Sequence, residues 1–589
     1  HAAGAVRRRM LHRRVGEALE RLYAEHLEMV YEQLAHHYEQ AGVTERTLVY
    51  LPLAAAKAEA VYANQEALNY YDRALALLGE DEGQRWEILL RRGKILRFLG
   101  RYDEAIAVCQ HIVEAGAGGS GDRLLAAQAA NELSAIHRAR RDYDEARAWA
   151  ERVNRLAAEA DEGEESECLK EQARAKQALG EVEWEQGNLE AARSLLQKGI
   201  ALYRALEDRR GVAECLSGLG NVLSSQGAYD AARQRFAEAL ALFQALGDRQ
   251  SEAACLRAIG LTHWRQGAND AAHRAFTESR DICQAIGDRQ GEAACLNNLG
   301  LVYIARGDHR ETRRCWDESI ALYRSLGLEK RAALGLHRLG ILHIGQGDYP
   351  AARECLEESL AINRSIGAKS AEALDLGWLG RLHLQCGEYD DARRCLDMTL
   401  ALDREIGAGE EEVWHLIWLG AIAYEMEDLA GAQEHLQEAI RLAKKQGTHL
   451  GSYEVYWLAA VYLAQGDGEA ALNAVQQVLT DTGARGKPVE AGVCCAMLGA
   501  VHGSGLLADA ENPVPYFERA LALLSDEDPF GRGVALRRYG AYLMHSSGRE
   551  QGRAHLQEAQ AIFERLGAQG ELAKVTRLLN GDDDPRLRW

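Results

Sequence analysis

Residues 210–247 read RGVAECLSGLGNVLSSQGAYDAARQRFAEALALFQALG, and the spacing within this stretch decides the fold. Its first half places Cys215, Leu216, Leu219 and Leu223 at helical intervals, and its second half does the same with Ala231, Phe236, Ala239, Leu240, Phe243 and Leu246. Two amphipathic helices are predicted. Between them lies Gln-Gly-Ala-Tyr-Asp, with Gly227 suited to a left-handed C-terminal position and Asp230 near the start of the next helix. Gly247 ends the second helix, and Asp248 is placed to cap the following one.

The same unit is written seven times between about Cys168 and Gly447. Gly180, Gly220, Gly260, Gly300, Gly340, Gly380 and Gly420 recur without slippage at a period of about 40 residues, each preceded by Leu or Ile. The punctuation recurs with them, as Gly267 and Gly287, Gly307 and Gly327, Gly347 and Gly367, Gly387 and Gly407. Gly220 and its equivalents fall inside a helix, where glycine costs about 1 kcal/mol against alanine. Such a cost, repeated at a fixed interval, predicts a close helix approach that a side chain would obstruct.

This pattern resembles the tetratricopeptide repeat family. The resemblance rests on Leu219-Gly220 and Leu299-Gly300 in the first helix, on Tyr303 three residues later, and on Ala232, Phe236 and Ala239 in the second. Leu216, Leu256 and Leu296 stand where the family has Trp, glycine replaces its terminal Pro, and the period exceeds the usual ~34 residues. Each helix of about 17 residues spans roughly 25 Å. The resemblance implies an all-α, right-handed superhelical solenoid of antiparallel helix pairs with a concave inner wall.

Composition sets bounds on the rest. A chain of 589 residues is too long for one compact core, but a repeat array grows by nearest-neighbour contacts. The net charge of −20 argues against direct nucleic-acid binding; it suits either a basic partner or simply solvated helix faces. Cys215, Cys255 and Cys295 recur at one first-helix position, and Cys315, Cys355 and Cys395 at one second-helix position. Periodic thiols predict small buried slots rather than disulfides. No apolar run approaches the ~18 residues of a membrane span, and no signal peptide is recognisable, so a cytoplasmic protein without membrane contact is expected.

The organisation along the chain is predicted as follows. Residues 1–60 form a helical connector that follows an upstream domain, and 61–165 hold divergent repeat-like units. Residues 166–447 hold the seven regular units, 448–580 divergent and capping units, and 581–589 a disordered tail in which Trp589 could dock. The opening segment carries Arg7, Arg8, Arg9, Arg13 and Arg14, read either as contact with that upstream domain or an anionic ligand, or as a solvated helix face. HLEMVYEQLAHHYEQAG and ALNYYDRALALLG resemble the connector of bacterial STAND-type signalling ATPases and cyclase-linked relatives, which implies an upstream NTPase domain. The joint Gly116-Ala117-Gly118-Gly119-Ser120-Gly121 follows a helix, not a strand, and reads as a linker rather than a dinucleotide loop.

Motifs of catalysis are missing from the sequence. Gly483 to Lys487 has the wrong glycine spacing for a phosphate loop, and no H-E-x-x-H, G-x-S-x-G or C-x-x-C occurs. His263, His343 and His383 occupy equivalent positions that align with a core tyrosine of the family, so they are read as packing residues and not metal ligands. Cys494 and Cys495 are read likewise. Neither a cofactor nor an enzyme activity is expected.

The inner wall is therefore the candidate site. First-helix positions spaced 3, 4 and 3 apart lie on one face; they run from Arg174, Gln177, Glu181 and Trp184 to Trp414, Ile417, Ala421 and Tyr424. The wall begins acidic and polar and turns apolar from Trp264 onward. Arg257, Trp264, Arg265, Asn297, His337, Arg381, Trp414 and Tyr424 are the predicted groove residues. An apolar stretch with isolated cations fits a groove for a protein or peptide ligand, or for a small-molecule effector. The competing reading is that these side chains are buried against an opposite wall. Two roles follow, a non-catalytic recognition arm or the sensor arm of a STAND-type NTPase regulator in bacterial signalling.

Overall fold

The computed structural model describes residues 2–60, 63–79, 83–117, 122–158, 165–446, 452–483, 488–524, 528–546, 548–582, 584 and 587. Gly447, linker residues 118–121, Lys487 and Trp589 lie outside the described residues. Among those described the regular structure is all helical, and the chain divides into two compact units, residues 1–288 and 289–589.

The first unit opens with α1 (Ala2–Leu22), α2 (Tyr31–Ala41), α3 (Thr44–Ala60) and α4 (Asn64–Leu77). Four divergent helices follow: α5 (Gly83–Phe98), α6 (Tyr102–Ala117), α7 (Arg123–Arg140) and α8 (Tyr143–Ala158). Three regular pairs complete it: α9 (Glu165–Glu185) with α10 (Leu189–Ala205), α11 (Arg209–Ser225) with α12 (Tyr229–Leu246), and α13 (Arg249–Arg265) with α14 (Asn269–Ile286). Helix α1 rests on α2 through Gly16, where a Cβ would stand 3.0 Å from the Tyr38 ring. Its Arg7, Arg8, Arg9 and Arg14 are exposed together with Val6, Met10 and Leu11.

The second unit begins with four regular pairs. These are α15 (Arg289–Ala305) with α16 (His309–Ser325), α17 (Glu329–Gln346) with α18 (Tyr349–Ser365), α19 (Lys369–Cys386) with α20 (Tyr389–Ile406), and α21 (Gly409–Glu425) with α22 (Leu429–Gln446). Then come α23 (Ser452–Gln465), α24 (Gly468–Gly483), α25 (Pro488–His502), α26 (Val514–Leu523), α27 (Pro529–Met544), α28 (Arg549–Leu566) and α29 (Gln569–Leu579). Within each unit every helix packs on the next. The short turns inside the regular pairs leave the paired helices antiparallel.

The repeating glycine does what its cost implies. A Cβ on Gly220 would lie 2.6 Å from the Phe236 ring, and one on Gly260 2.6 Å from that of Phe276. On Gly180, Gly340, Gly380 and Gly420 it would meet Leu196, Leu356, Leu396 and Leu436 at 2.8, 2.6, 2.7 and 2.6 Å, and on Gly300 it would enter the Trp316 indole. The obstructing side chain always holds the same repeat position, on the second helix of the same pair. Asp208, Asp248, Asp308 and Asp348 cap the next helices by accepting from the backbone N–H three residues on, at 3.0 to 3.4 Å. Two turn positions depart from the pattern, since Glu207 (φ 55°) and Glu427 (φ 66°) hold the left-handed conformation without being glycine.

The twelve cysteines are free thiols; Cys215, Cys255, Cys295 and Cys315 are buried, while Cys355 and Cys395 are half-buried. No described helix is long and apolar enough to cross a membrane. The sequence expectation of a disordered end does not hold at Leu587. That side chain is buried in a core shared with Val534, Leu556, Phe563 and Val575, and its carbonyl accepts from the Arg537 guanidinium.

Gly220→Ala is expected to destabilise the chain by about 1–3 kcal/mol through overpacking against Phe236. Gly227→Ala has open space around it, so it carries only the backbone penalty of about 1–2 kcal/mol for an L-residue in the left-handed region. Urea denaturation checks the mechanism by a double-mutant cycle: measured in a Phe236→Ala background, the Gly220→Ala loss should vanish and the Gly227→Ala loss should stay the same.

Candidate functional site

In the second unit the chain returns on itself. Helix α29 packs on α19, and the core residues Ile344 to Leu382 form one cluster with Val534 to Leu587. The approach is close because glycines meet. A Cβ on Gly387 would stand 3.0 Å from the Gly570 nitrogen, and one on Gly570 2.9 Å from the Tyr389 hydroxyl. Gly347, likewise left-handed, leaves room for Leu566.

A cavity of about 400 Å³, open to solvent on one side, lies between α19, α21 and the returning segment. Helix α19 contributes Leu374, Trp378, Arg381, Leu384 and Gln385; α21 contributes Glu411, Trp414, His415, Trp418 and Glu425. Trp457 adds to this wall from α23, and Asp528, Phe530, Gly570, Glu571 and Lys574 line the other side. Four of the chain's ten tryptophans thus face one space. Leu374 and Trp414 are 39% and 40% exposed, and with exposed Glu411 they mark the solvent side.

The Arg381 guanidinium lies 4.9 Å from the Trp378 ring centroid and 5.5 Å from that of Trp418, in cation–π contact with both. Behind the wall, His415 Nδ1 is 2.5 Å from buried Asp403, which fixes the imidazole. The floor is ionic. Lys574 Nζ donates to Glu425 at 2.6 Å and to Glu571 at 2.8 Å; Arg537 Nε donates to Glu571 at 2.7 Å, and the Tyr389 hydroxyl to Glu425 at 3.2 Å. Two cations and two carboxylates therefore balance in a buried network. Burial pushes the Glu571 carboxyl up, but the charges of Arg537 and Lys574 outweigh it and hold the group well below the usual range. For Lys574 burial works downward, and Glu425 and Glu571 outweigh it and raise the ammonium.

The predicted groove residues have different surroundings. Arg381 and Trp414 line the cavity, whereas Tyr424 lines a neighbouring one beneath α29. Burial, then Glu425, pushes the Tyr424 phenol up to about 12, and its buried oxygen lacks a hydrogen bond. His337 Nδ1 is 2.7 Å from Asp375, a buried carboxylate that also accepts from Asn363 at 2.8 Å. Asn297 accepts from Arg338 at 2.7 Å. In the first unit, Arg257 and Trp264 are on α13, Arg257 half-buried like Trp264, and Arg265 donates to Ser224 at 3.2 Å. That unit has its own polar cleft of about 380 Å³, lined by Gln177, Glu181, Trp184, Glu214 and Asn221 among others.

Sequence reasoning missed Trp378 and Trp418, although they share one position in consecutive repeats, a signal open to a second count. Nothing in the sequence marks Glu571 or Lys574. Of the three aligned histidines, His343 is 3.4 Å from Asp348, and its pKa is lowered by burial and then by Arg313. His263 is lowered by burial and then by Arg233. His383, Glu388 and Asp391 offer ligand atoms within 4.8 Å of one another. Glu388 there already accepts from Arg353 at 2.7 Å and pairs with His383, which makes the group an ion-paired helix joint.

Comparison with known proteins adds family evidence. A tetratricopeptide repeat profile matches residues 84–159, 171–245, 219–285, 292–365 and 370–445, and a second matches 455–477. A sequence search against curated proteins finds no match. Among solved structures, the chain is similar to a Signal Transduction ATPase with Numerous Domains protein with a tetratricopeptide repeat sensor from Pyrococcus horikoshii. Identity there is 16%, over 56% of this chain and 55% of that one, with a TM-score of 0.44. The apo quorum sensor NprR from B. thuringiensis shares 11% identity over 60% of this chain and 97% of its own, with a TM-score of 0.42. BtubC from P. vanneervenii shares 17% over 38% and 92%, at 0.34.

Lys574→Met leaves Glu425 without its cation and is expected to cost about 3–5 kcal/mol in urea denaturation. The wild-type pH dependence has a definite sign. Because Glu571 is depressed in the folded state, its contribution is full above the ordinary glutamate pKa of about 4.3 and is lost as pH falls below that value. Glu571→Gln should flatten that part of the stability–pH curve, and an unchanged slope contradicts the network's role.

Proposed function

The chain belongs to the tetratricopeptide repeat family, and on that footing we propose that it is a non-catalytic recognition arm whose ligand enters the tryptophan-lined cavity of the second unit. One observation carries the reading: four indoles and Phe530 converge on a space of about 400 Å³ that also holds charged side chains. Apolar walls with a few placed polar groups are the common form of a ligand site. The size suits a small molecule, or one or two side chains of a bound peptide. Chemistry on the ligand is not part of the proposal.

The sensor-arm reading rests on the resemblance of HLEMVYEQLAHHYEQAG (residues 26–42) and ALNYYDRALALLG (residues 67–79) to a connector in STAND-type regulators. In that reading the protein works in the cytoplasm, and ligand binding changes the state of an upstream NTPase domain.

The test is a thermal-shift screen of metabolites and short peptides on the wild-type chain and on Trp414→Ala. Trp414 is exposed, so the variant should fold. A ligand at 100 times its Kd stabilises by about 2.7 kcal/mol. The expected result is a hit that shifts the wild-type transition and leaves Trp414→Ala unmoved. Hits that shift both proteins equally would place the binding elsewhere.

A further inference from the structure

We propose that the ligand of this cavity is an organic cation: a protonated amine or guanidinium on an apolar body. The inference rests on the reading of the cavity as the working site and goes beyond it by naming the ligand's charge.

Three observations converge. Arg381 already lies against two indole faces, at 4.9 and 5.5 Å, so this wall holds a guanidinium by cation–π contact. Trp414, Trp457 and Phe530 offer further faces around the same space.

The acceptors come next. Gln385 Oε1 is buried in the cavity wall without a hydrogen-bond partner. Glu411 is exposed one helical turn before Trp414 and takes part in no ion pair among the described residues. An unpaired buried acceptor carries an uncompensated desolvation cost. A ligand that brings N–H donors removes that cost; a carboxylate ligand cannot.

Charge gives the third argument. The lining carries the carboxylates Glu411, Glu425, Glu571 and Asp528 against the cations Arg381 and Lys574. Lys574 and Arg537 neutralise Glu425 and Glu571 within the floor network. Of the other charges, Asp528 accepts from the Gly531 N–H at the start of α27 and Arg381 lies against the indoles, while exposed Glu411 is the carboxylate on the solvent side, where an entering cation is met first. The source of the cation is either a free amine or a Lys or Arg side chain of a bound peptide, and both use the same contacts.

The experiment is isothermal titration of the full chain at pH 7.5 with phenethylamine, its uncharged counterpart 2-phenylethanol and its anionic counterpart 3-phenylpropionate. Acetyl-Gly-Arg-Gly-amide and acetyl-Gly-Lys-Gly-amide form the peptide arm. An amine or basic peptide is expected to bind at least about tenfold more tightly than the alcohol, a difference of roughly 1.4 kcal/mol. Glu411→Gln should remove most of that preference while leaving alcohol binding unchanged, and circular dichroism confirms that the variant folds. Tighter binding of the free amine points to a metabolite, and tighter binding of the peptides to a protein. Equal or stronger binding of the alcohol or the propionate, abolished by Trp414→Ala, overturns the cation assignment and leaves the cavity as the site. Absence of binding by every probe overturns the cation proposal, while the metabolite and peptide screen still decides whether the cavity is a site at all.

Discussion

Every regular unit depends on one contact, between a helix-interior glycine and a large side chain on the paired helix. The partners vary from Leu196 and Phe236 to Trp316, yet the helix backbones stay close because the glycine presents no Cβ. The glycine weakens its own helix by about 1 kcal/mol. Packing of the partner side chain offsets that loss, since a buried Leu or Phe contributes about 1.5–3 kcal/mol. A fixed approach gives every pair the same frame.

The uniform frame leaves the inner positions free to differ. Two residues before the repeating glycine the chain has Gly218, then Ala258, Asn298, Arg338, Trp378 and Trp418. The wall thus becomes bulky and aromatic along the array, with no change in the contacts that hold each pair. In the second unit these rings would face open solvent but for the return of the C-terminal helices. Gly387 and Gly570 allow the backbones to touch there, and Lys574 ties α29 to Glu425, 149 residues earlier. Closure turns a ridge of side chains into a cavity with an ionic floor.

The local fold was legible in the sequence because its determinants are local. The glycine period, the left-handed turn glycines and the aspartate caps each act within one unit, and all stand in the structure as read. The cavity was only half legible. Arg381 and Trp414 followed from the face assigned to the first helices, but the opposite side did not, because contacts between residues so far apart in the chain leave no period. The burial of Leu587 had the same cause. A short polar tail reads as solvated unless its anchor, here the buried Arg537, is known to lie beside it.

The central claim is that α29 belongs to the wall of the cavity and is not a loose end. Native-state hydrogen exchange followed by mass spectrometry measures this directly, since it reports the opening free energy of each helix. The amides of α29 are predicted to exchange through an opening as costly as that of α19 and α21. Rapid exchange of α29 with α19 and α21 still protected would contradict the claim, because the aromatic wall would then face solvent without a lid.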